Sequence, residues 1–155
     1  ALFSILIYVA MRFEFIYGLG AITALIHDVI ITLGIFSIFD LTFDLSVLAA
    51  ILAVIGYSLN DSIVVFDRIR ENNIALRKMS IVDVLDKSIN QTLSRTLVTS
   101  LTTLLVIISL LIFGGDAVKN FSIAMLLGII IGTYSSIFIA SASLSYFGIK
   151  RPEGN

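Results

Sequence analysis

The sequence predicts an all-α membrane protein, a bundle of five transmembrane helices with the first cut short. Three observations predict it. The chain of 155 residues is 58% hydrophobic and only 14% charged, where a soluble domain carries roughly 25% charged residues, and its mean hydropathy is +1.06. The apolar residues fall in blocks separated by short polar joints, and a spanning helix needs about 20 mostly apolar residues at ~1.5 Å rise each. The one proline, Pro152, lies past the last block, so every block can be an uninterrupted helix.

The elements follow in order. The first, 1–15, opens with an apolar run to Met11 that covers only ~16 Å as helix, about half a hydrocarbon core. It has no basic leader and does not read as a signal peptide. The expectation is a natural protein that begins upstream. Spans are predicted at 19–39, 45–66, 96–113 and 121–147. The joints at Asp40–Asp44 and Gly114–Asn120 are short enough to make their neighbours antiparallel hairpins. Between 66 and 96 the chain is polar. Ser80 and Asp83 are spaced as a capping-box variant, and Ile81, Leu85, Ile89 and Leu93 then recur every fourth residue. That predicts an amphipathic helix at about 80–93, either lying on the membrane surface or packed on its own bundle. The last span carries a small residue every four positions: Ala124, Gly128, Gly132, Ser136 and Ala140. Such a ladder lets a second helix approach closely, so Gly128, Gly132 and Ser136 are read as helix-packing residues.

Charge orients the bundle. Arg12, Arg68, Arg70, Arg77, Lys78, Lys87, Arg95, Lys150 and Arg151 fall on one side of the predicted membrane, and Lys119 alone on the other. A nine-to-one split places the long loop and the C-terminus in the cytoplasm. The net charge of −1 gives no electrostatic footprint for nucleic acid. With no cysteine and one histidine, disulfides, thiolate metal sites and cysteine nucleophiles are excluded, and no metal or cofactor is expected.

Charged groups within the bilayer cost at least ~2.5–3.5 kcal/mol, so each one present needs a partner or a task. Asp61 lies in the 45–66 span with one apolar turn, 63–66, still to come. Burial favours the neutral form of such a carboxyl and a nearby cation the charged form, so it can serve as a reversible proton carrier or as a permanently paired packing group. Arg95 enters the next span, followed by Thr99, Thr102 and Thr103 along one polar stripe. Its guanidinium suits a membrane carboxylate, and it suits equally well an anchor that snorkels to the interface. His27 and Asp28 sit midway along the 19–39 span. Being adjacent, they point roughly 100° apart and cannot both face one neighbour squarely. They read as a proton relay or, for Asp28, as a hydrogen-bond acceptor for hydroxyls of another helix.

At these residues the chain resembles the SecF branch of the SecD/SecF protein-export family, within the resistance-nodulation-division (RND) superfamily. The likeness rests on YVAMRFEF (8–15), ALIHDVIITLGIFS (24–37), VIGYSLNDSIVVFDRIREN (54–72), LSRTLVTSLTTLL (93–105) and LLGIIIGTYSSIFIA (126–140). Ser62 stands where many relatives are expected to have threonine, which keeps the hydroxyl. The resemblance implies one RND-type half of six spanning helices, here without its first helix and the periplasmic domain that follows it. It implies SecD as pseudo-symmetric partner, with the SecYEG channel, YajC, YidC and a secreted polypeptide in transit as further contacts. It implies a multi-pass protein of the bacterial inner membrane, not an enzyme but an accessory that uses the proton-motive force to assist translocation. Asp61 and Arg95 occupy the positions of the family's proton-path aspartate and arginine.

Other classes fit parts of the pattern. A non-transporting scaffold would use internal charges only to register helices, and an RND-type exporter half would move small molecules. An intramembrane aspartyl protease would need Asp28 and Asp61 as a dyad, with a GxGD sequence at the second aspartate where this chain has Ser58-Leu59-Asn60-Asp61. A rhomboid-like serine protease would need a GxS serine paired with a histidine on another helix, and is set aside.

Overall fold

The structure, a computed structural model, describes residues 15–148 together with Ser4, Ile7 and Met11. Those residues form helices and tight turns, with no strand among them. Helix α1 is Phe15–Ile38, α2 is Leu45–Ala75, α3 is Ile81–Phe113 and α4 is Asp116–Tyr134. A single π-helical segment, Ser135–Ile139, joins α4 to α5, Ala140–Phe147, so 116–147 is one continuous rod. Four rods are therefore long and apolar enough to cross a membrane. The first of the five expected spans, 1–15, lies almost wholly outside the described residues. Lys150 and Arg151 of the expected cytoplasmic end lie outside them too.

Two expected boundaries are corrected. The span predicted to end at 66 continues to Ala75, and the amphipathic helix at 80–93 is not separate from the 96–113 span. Both belong to α3, which runs unbroken from Ile81. The physical reason is that the polar ends of α2 and α3 pack on each other. Ile69, Asn72 and Asn73 of α2 and Val84, Leu85, Ser88 and Thr92 of α3 are buried, so the charge-rich stretch has an inner face and needs no break. Of the two arrangements open for 80–93, the chain adopts packing on its own bundle.

Caps set the helix ends. Asp40, at φ 50°, closes α1 in the left-handed conformation that a short polar side chain tolerates, and Leu41 N–H bonds Phe36 C=O at 2.9 Å. Asp44 caps α2 by accepting from Ser46 N–H and Val47 N–H at 2.9 and 3.0 Å. Its other carboxylate oxygen accepts from Asn120 Nδ2 at 2.9 Å, which ties the α1–α2 turn to the start of α4. Ser80 caps α3 as its spacing with Asp83 predicts, accepting from Asp83 N–H at 3.1 Å. At the α3–α4 turn Gly115 adopts φ 71°, which only glycine reaches without strain.

The packing centres on α2 and α4. A Cβ on Gly128 would overlap the Val54 side chain, whose Cγ1 and Cβ lie 2.7 and 3.0 Å from that position. One turn on, a Cβ on Gly132 would stand 3.3 Å from Ser58 Cβ. A spacing of four drifts about 40° per step around a 3.6-residue helix, so a ladder from Ala124 to Ala140 ought to wander off its face. The wider π turn at 135–139 takes up that drift, and Ser136, Ala140 and Leu144 remain buried.

Two apolar cores result. One gathers Tyr17, Ala24, Phe66, Ile69, Leu85 and Leu144 at the basic end. The other gathers Leu25, Phe36, Ile51, Val54, Ile107 and Ile129 at the opposite end. Between them every rod contributes buried polar groups: Asp28, Ser58, Asp61, Thr96, Ser100, Ser135 and Ser136.

Gly128→Val should destabilise the bundle by about 3 kcal/mol, the upper end of the overpacking range. Gly34→Ala, whose Cβ meets nothing within 4 Å, should leave it unchanged, as checked by thermal unfolding of the detergent-solubilised protein. At Asp44, bonds from the Ser46 hydroxyl, the Asn120 amide and Val47 N–H hold the carboxyl at about 2, below its ordinary 3.8. A depressed folded value means stabilisation that is full above the ordinary value and lost as pH falls through the folded one. The melting-temperature difference between the native protein and Asp44→Ala should therefore stay constant near neutral pH and shrink between about 4 and about 2.

Candidate functional site

The polar belt holds two hydrogen-bond networks and one carboxyl that belongs to neither. The first network joins α1 to α2. Ser58 Oγ donates to Asp28 Oδ2 at 2.7 Å, and His27 Nδ1 lies 3.1 Å from Asp28 Oδ1. Asp28 is 1% exposed while the His27 side chain is 27% exposed, so the pair runs from the interior outward along α1. The missing Cβ of Gly132 makes room for this contact, since it would stand 3.6 Å from Asp28 Oδ2. His27 and Asp28 thus meet each other, and only Asp28 faces α2.

The second network joins α2, α3 and α4. Tyr57 Oη donates to Ser100 Oγ at 3.0 Å, and Ser100 and Thr133 share a hydrogen bond of 2.7 Å. Thr133 Oγ1 also reaches Ile129 C=O at 2.6 Å. Ser58, Ser100 and Thr133 are not among the residues that sequence reasoning selects. Hydroxyls in spanning helices ordinarily bond their own backbone one turn back, as Thr99, Thr102, Thr103 and Ser109 do here. Nothing in the residue type marks which of them reaches across.

Asp61 follows one turn beyond Tyr57 and Ser58. It is 3% exposed, and its Oδ2 is buried with no hydrogen-bond partner among the described residues. Arg95 is the charged group whose field acts on it, yet among the described residues no hydrogen bond and no ion pair within 4 Å joins the two. The Arg95 side chain is exposed and lies along a polar cleft between α2 and α3. The structure therefore sets Asp61 and Arg95 in one neighbourhood without contact, and keeps Asp28 and His27 in a separate network.

Two hydrolytic readings can be judged on this geometry. Among the described residues no hydrogen bond joins Asp28 to Asp61, and Asp28 is engaged by Ser58 and His27, so the two do not share a proton as a protease dyad does. The 45–66 block contains a GxS triplet, Gly56-Tyr57-Ser58. The Ser58 hydroxyl, however, donates to a carboxylate and not to an imidazole, which leaves it without the base that activates a nucleophile.

A bundle of long apolar rods around a buried polar belt defines a polytopic helical membrane protein. The chain belongs to the protein export membrane protein SecD/SecF family, whose C-terminal region model matches residues 1–150. It is 55% identical over 147 residues to the protein translocase subunit SecF of Haemophilus influenzae, covering 95% of this chain and 45% of that protein. It is 55% identical over 153 residues to that of Pseudomonas aeruginosa, covering 99% and 50%. The chain thus spans about half the length of these relatives. A crystal structure of SecDF in a super-membrane-facing form superposes with a TM-score of 0.90 at 49% identity, covering 94% of this chain and 20% of that one. A SecDF structure from Thermus thermophilus gives 0.88, also at 49% identity, covering 92% and 20%.

Ser58→Ala would leave Asp28 Oδ2 short of its donor. Neutral interhelical bonds in membranes average only about 0.6 kcal/mol, but a bond ending on a carboxylate is worth about 1.5–3 kcal/mol. A fall in melting temperature of several degrees is expected in detergent, and a shift within error would show that the contact carries no load.

Proposed function

We propose that this chain is the membrane-embedded core of a SecF-type subunit that uses the proton-motive force to assist protein translocation through the Sec channel of the bacterial inner membrane. The observation that carries the reading is Asp61, a carboxyl in the interior of a spanning helix with an oxygen that no group satisfies among the described residues. Carboxylates in such a place are ordinarily held by donors, as Asp28 is by Ser58. A carboxyl without a fixed donor can gain or lose a proton without first breaking a bond, and the Arg95 charge nearby makes the two states energetically different.

In this reading Asp61 carries the proton, and Arg95 answers the change in its charge. Asp28 and His27 form an accessory relay on the α1 side. One charge crossing the field supplies ~2.3 kcal/mol per 100 mV, and each pH unit adds ~1.4 kcal/mol, enough to shift a two-state equilibrium substantially. Protonation changes how α2 and α3 pack against SecD and so moves the periplasmic part of the full-length subunit, which holds or draws on the emerging polypeptide. SecYEG, YajC and YidC are the further partners of this assembly. The nine-to-one split of basic residues supports a cytoplasmic α2–α3 turn and C-terminus. The names of the relatives, protein translocase subunits, favour a secreted chain over a small molecule as cargo.

The scaffold reading predicts that no interior group titrates during work. Proton-gradient-stimulated export into membrane vesicles, compared between the native complex and Asp61→Asn at matched protein levels, separates the two. Loss of at least ten-fold of the stimulated rate, with the complex still assembled, is the outcome the motor requires. Unchanged stimulation makes Asp61 a packing residue.

A further inference from the structure

We infer that the seam between α3 and the α4–α5 rod is a lipid site. It takes one phospholipid from the leaflet on the basic side, with an ammonium headgroup at Asp86 and one acyl chain along the seam. Two recesses lie in line there. The one nearer the basic end, about 300 Å³, is lined by Leu85, Asp86 and Ile89 of α3 and by Phe138, Ser141 and Ala142 of the rod. The deeper one, about 220 Å³, is lined by Leu97, Leu101 and Leu104 of α3 and by Ile130 and Thr133 of α4. Ser100 also reaches the deeper recess, but its hydroxyl and that of Thr133 bond each other at 2.7 Å, which leaves an apolar wall. Leu97, Leu101, Ile130 and Phe138 are half exposed or more, so both recesses open to the outside of the bundle.

The depths match one leaflet. A hydrocarbon core of ~30 Å counted from Phe121, where the polar first turn of α4 ends, runs out about 20 residues on, at Ser141. From Ser141 down to Ile130 is ~16 Å, about half of that core. Counted likewise back from Phe113, the core ends near Leu93 of α3, so Asp86, two turns further out, stands at the level of the headgroups. Size favours a chain over a helix. A single helical turn, about 5.4 Å long and 10 Å across, fills on the order of 400 Å³, more than either recess holds.

Charge selects the headgroup. Asp86 is the charged residue lining the outer recess, its Oδ1 accepts from Asn90 Nδ2 at 3.3 Å, and no ion pair among the described residues neutralises it. Lys87, the next residue, lies about 100° round the helix and does not line the recess. A carboxylate at headgroup level attracts the primary ammonium of phosphatidylethanolamine and repels the net negative charge of phosphatidylglycerol. Ser141 adds an independent feature. Hydroxyls in spanning helices ordinarily bond their own backbone one turn back, whereas Ser141 Oγ, buried at the floor of the recess, has no partner among the described residues. A donor is thus left over at the depth of a phospholipid's ester oxygens.

The test uses the full-length subunit assembled with its partner, in vesicles of equal phosphatidylethanolamine and phosphatidylglycerol. Phe138 in the outer recess and, separately, Leu101 in the deeper one are replaced by photoreactive benzoylphenylalanine, and the adducts formed on irradiation are weighed by mass spectrometry. The lipid site requires phosphatidylethanolamine adducts to exceed phosphatidylglycerol adducts at least five-fold at both positions. Asp86→Asn, an exposed substitution that keeps the side chain's size, must bring that ratio to within two-fold of one. No lipid adduct, a ratio near one at either position, or a ratio that survives Asp86→Asn overturns the inference. So does an adduct with a protein, whether the partner subunit or a second copy of this chain.

Discussion

The contact on which the rest of this structure depends is the approach of α4 to α2 at Gly128 and Gly132. In lipid there is no hydrophobic gain from bringing two apolar helices together, because the tails they displace are as apolar as they are. Association has to come from close packing and from polar contacts between helices. Gly128 supplies the first by admitting Val54 into the space a side chain would fill, and Gly132 lets α4 lie against Ser58 and Asp28. The second follows from the first. Only at that separation does α4 cover the Ser58–Asp28 bond, and Thr133, next to Gly132, meets Ser100 of α3. A glycine ladder and a hydroxyl network are thus one device for joining four rods.

The belt this creates treats its two carboxyls differently. Asp28 accepts one bond from another helix and touches its neighbour His27, so both of its oxygens are engaged. Asp61 lies in the same layer, equally withdrawn from solvent, and has been left without a donor on Oδ2. The helix around it has donors to offer: Tyr57 and Ser58, one turn away, are committed to α3 and α1. Among the described residues Asp61 Oδ2 is one of three buried side-chain atoms without a hydrogen-bond partner, with Thr32 Oγ1 and Ser141 Oγ, and it alone of the three belongs to an acid; such departures from the usual rule for buried polar groups concentrate at functional positions.

Much of this was legible in the sequence, and what was not has identifiable causes. Block length and the absence of internal proline located the spans, because backbone satisfaction inside a bilayer leaves apolar stretches of that length little choice but helix. The four-residue ladder of the last span identified the packing face at Gly128, although the π turn that keeps Ser136 and Ala140 on it left no mark in residue type. The ends of α2 and α3 were misjudged because charge was read as loop. Ile69, Asn72 and Asn73 fall on one face among Arg68, Arg70 and Glu71, a helical period hidden by the charges between. Ser88, Thr92, Thr96 and Ser100 form a four-residue stripe of hydroxyls running straight through the supposed break, with no glycine or proline to interrupt it. Asp61, Arg95, Asp28 and His27 could be picked out by cost alone. Which of them touch could not, since contact depends on how the rods are rotated and composition does not record that.

The placement of the ties narrows how this bundle can respond to a change at Asp61. At one end Asp44 binds α2 to Asn120 of α4, and along its middle α2 is locked to α4 by Val54 and Gly128. At the basic end Asn72 fastens α2 to Ser88 and Gln91 of α3. A rod of 31 residues is about 46 Å long against a hydrocarbon core of about 30 Å, so that last tie sits where α2 and α3 run on together beyond the core. Between Asn72 and the Tyr57–Ser100 bond, α2 and α3 enclose the polar cleft. Close-packed contacts resist displacement more than an open cleft does. Under the proposed function, a new charge state at Asp61 would be absorbed by Arg95 and by the spacing of α2 and α3 at the cleft, with α2 and α4 held together by their close packing.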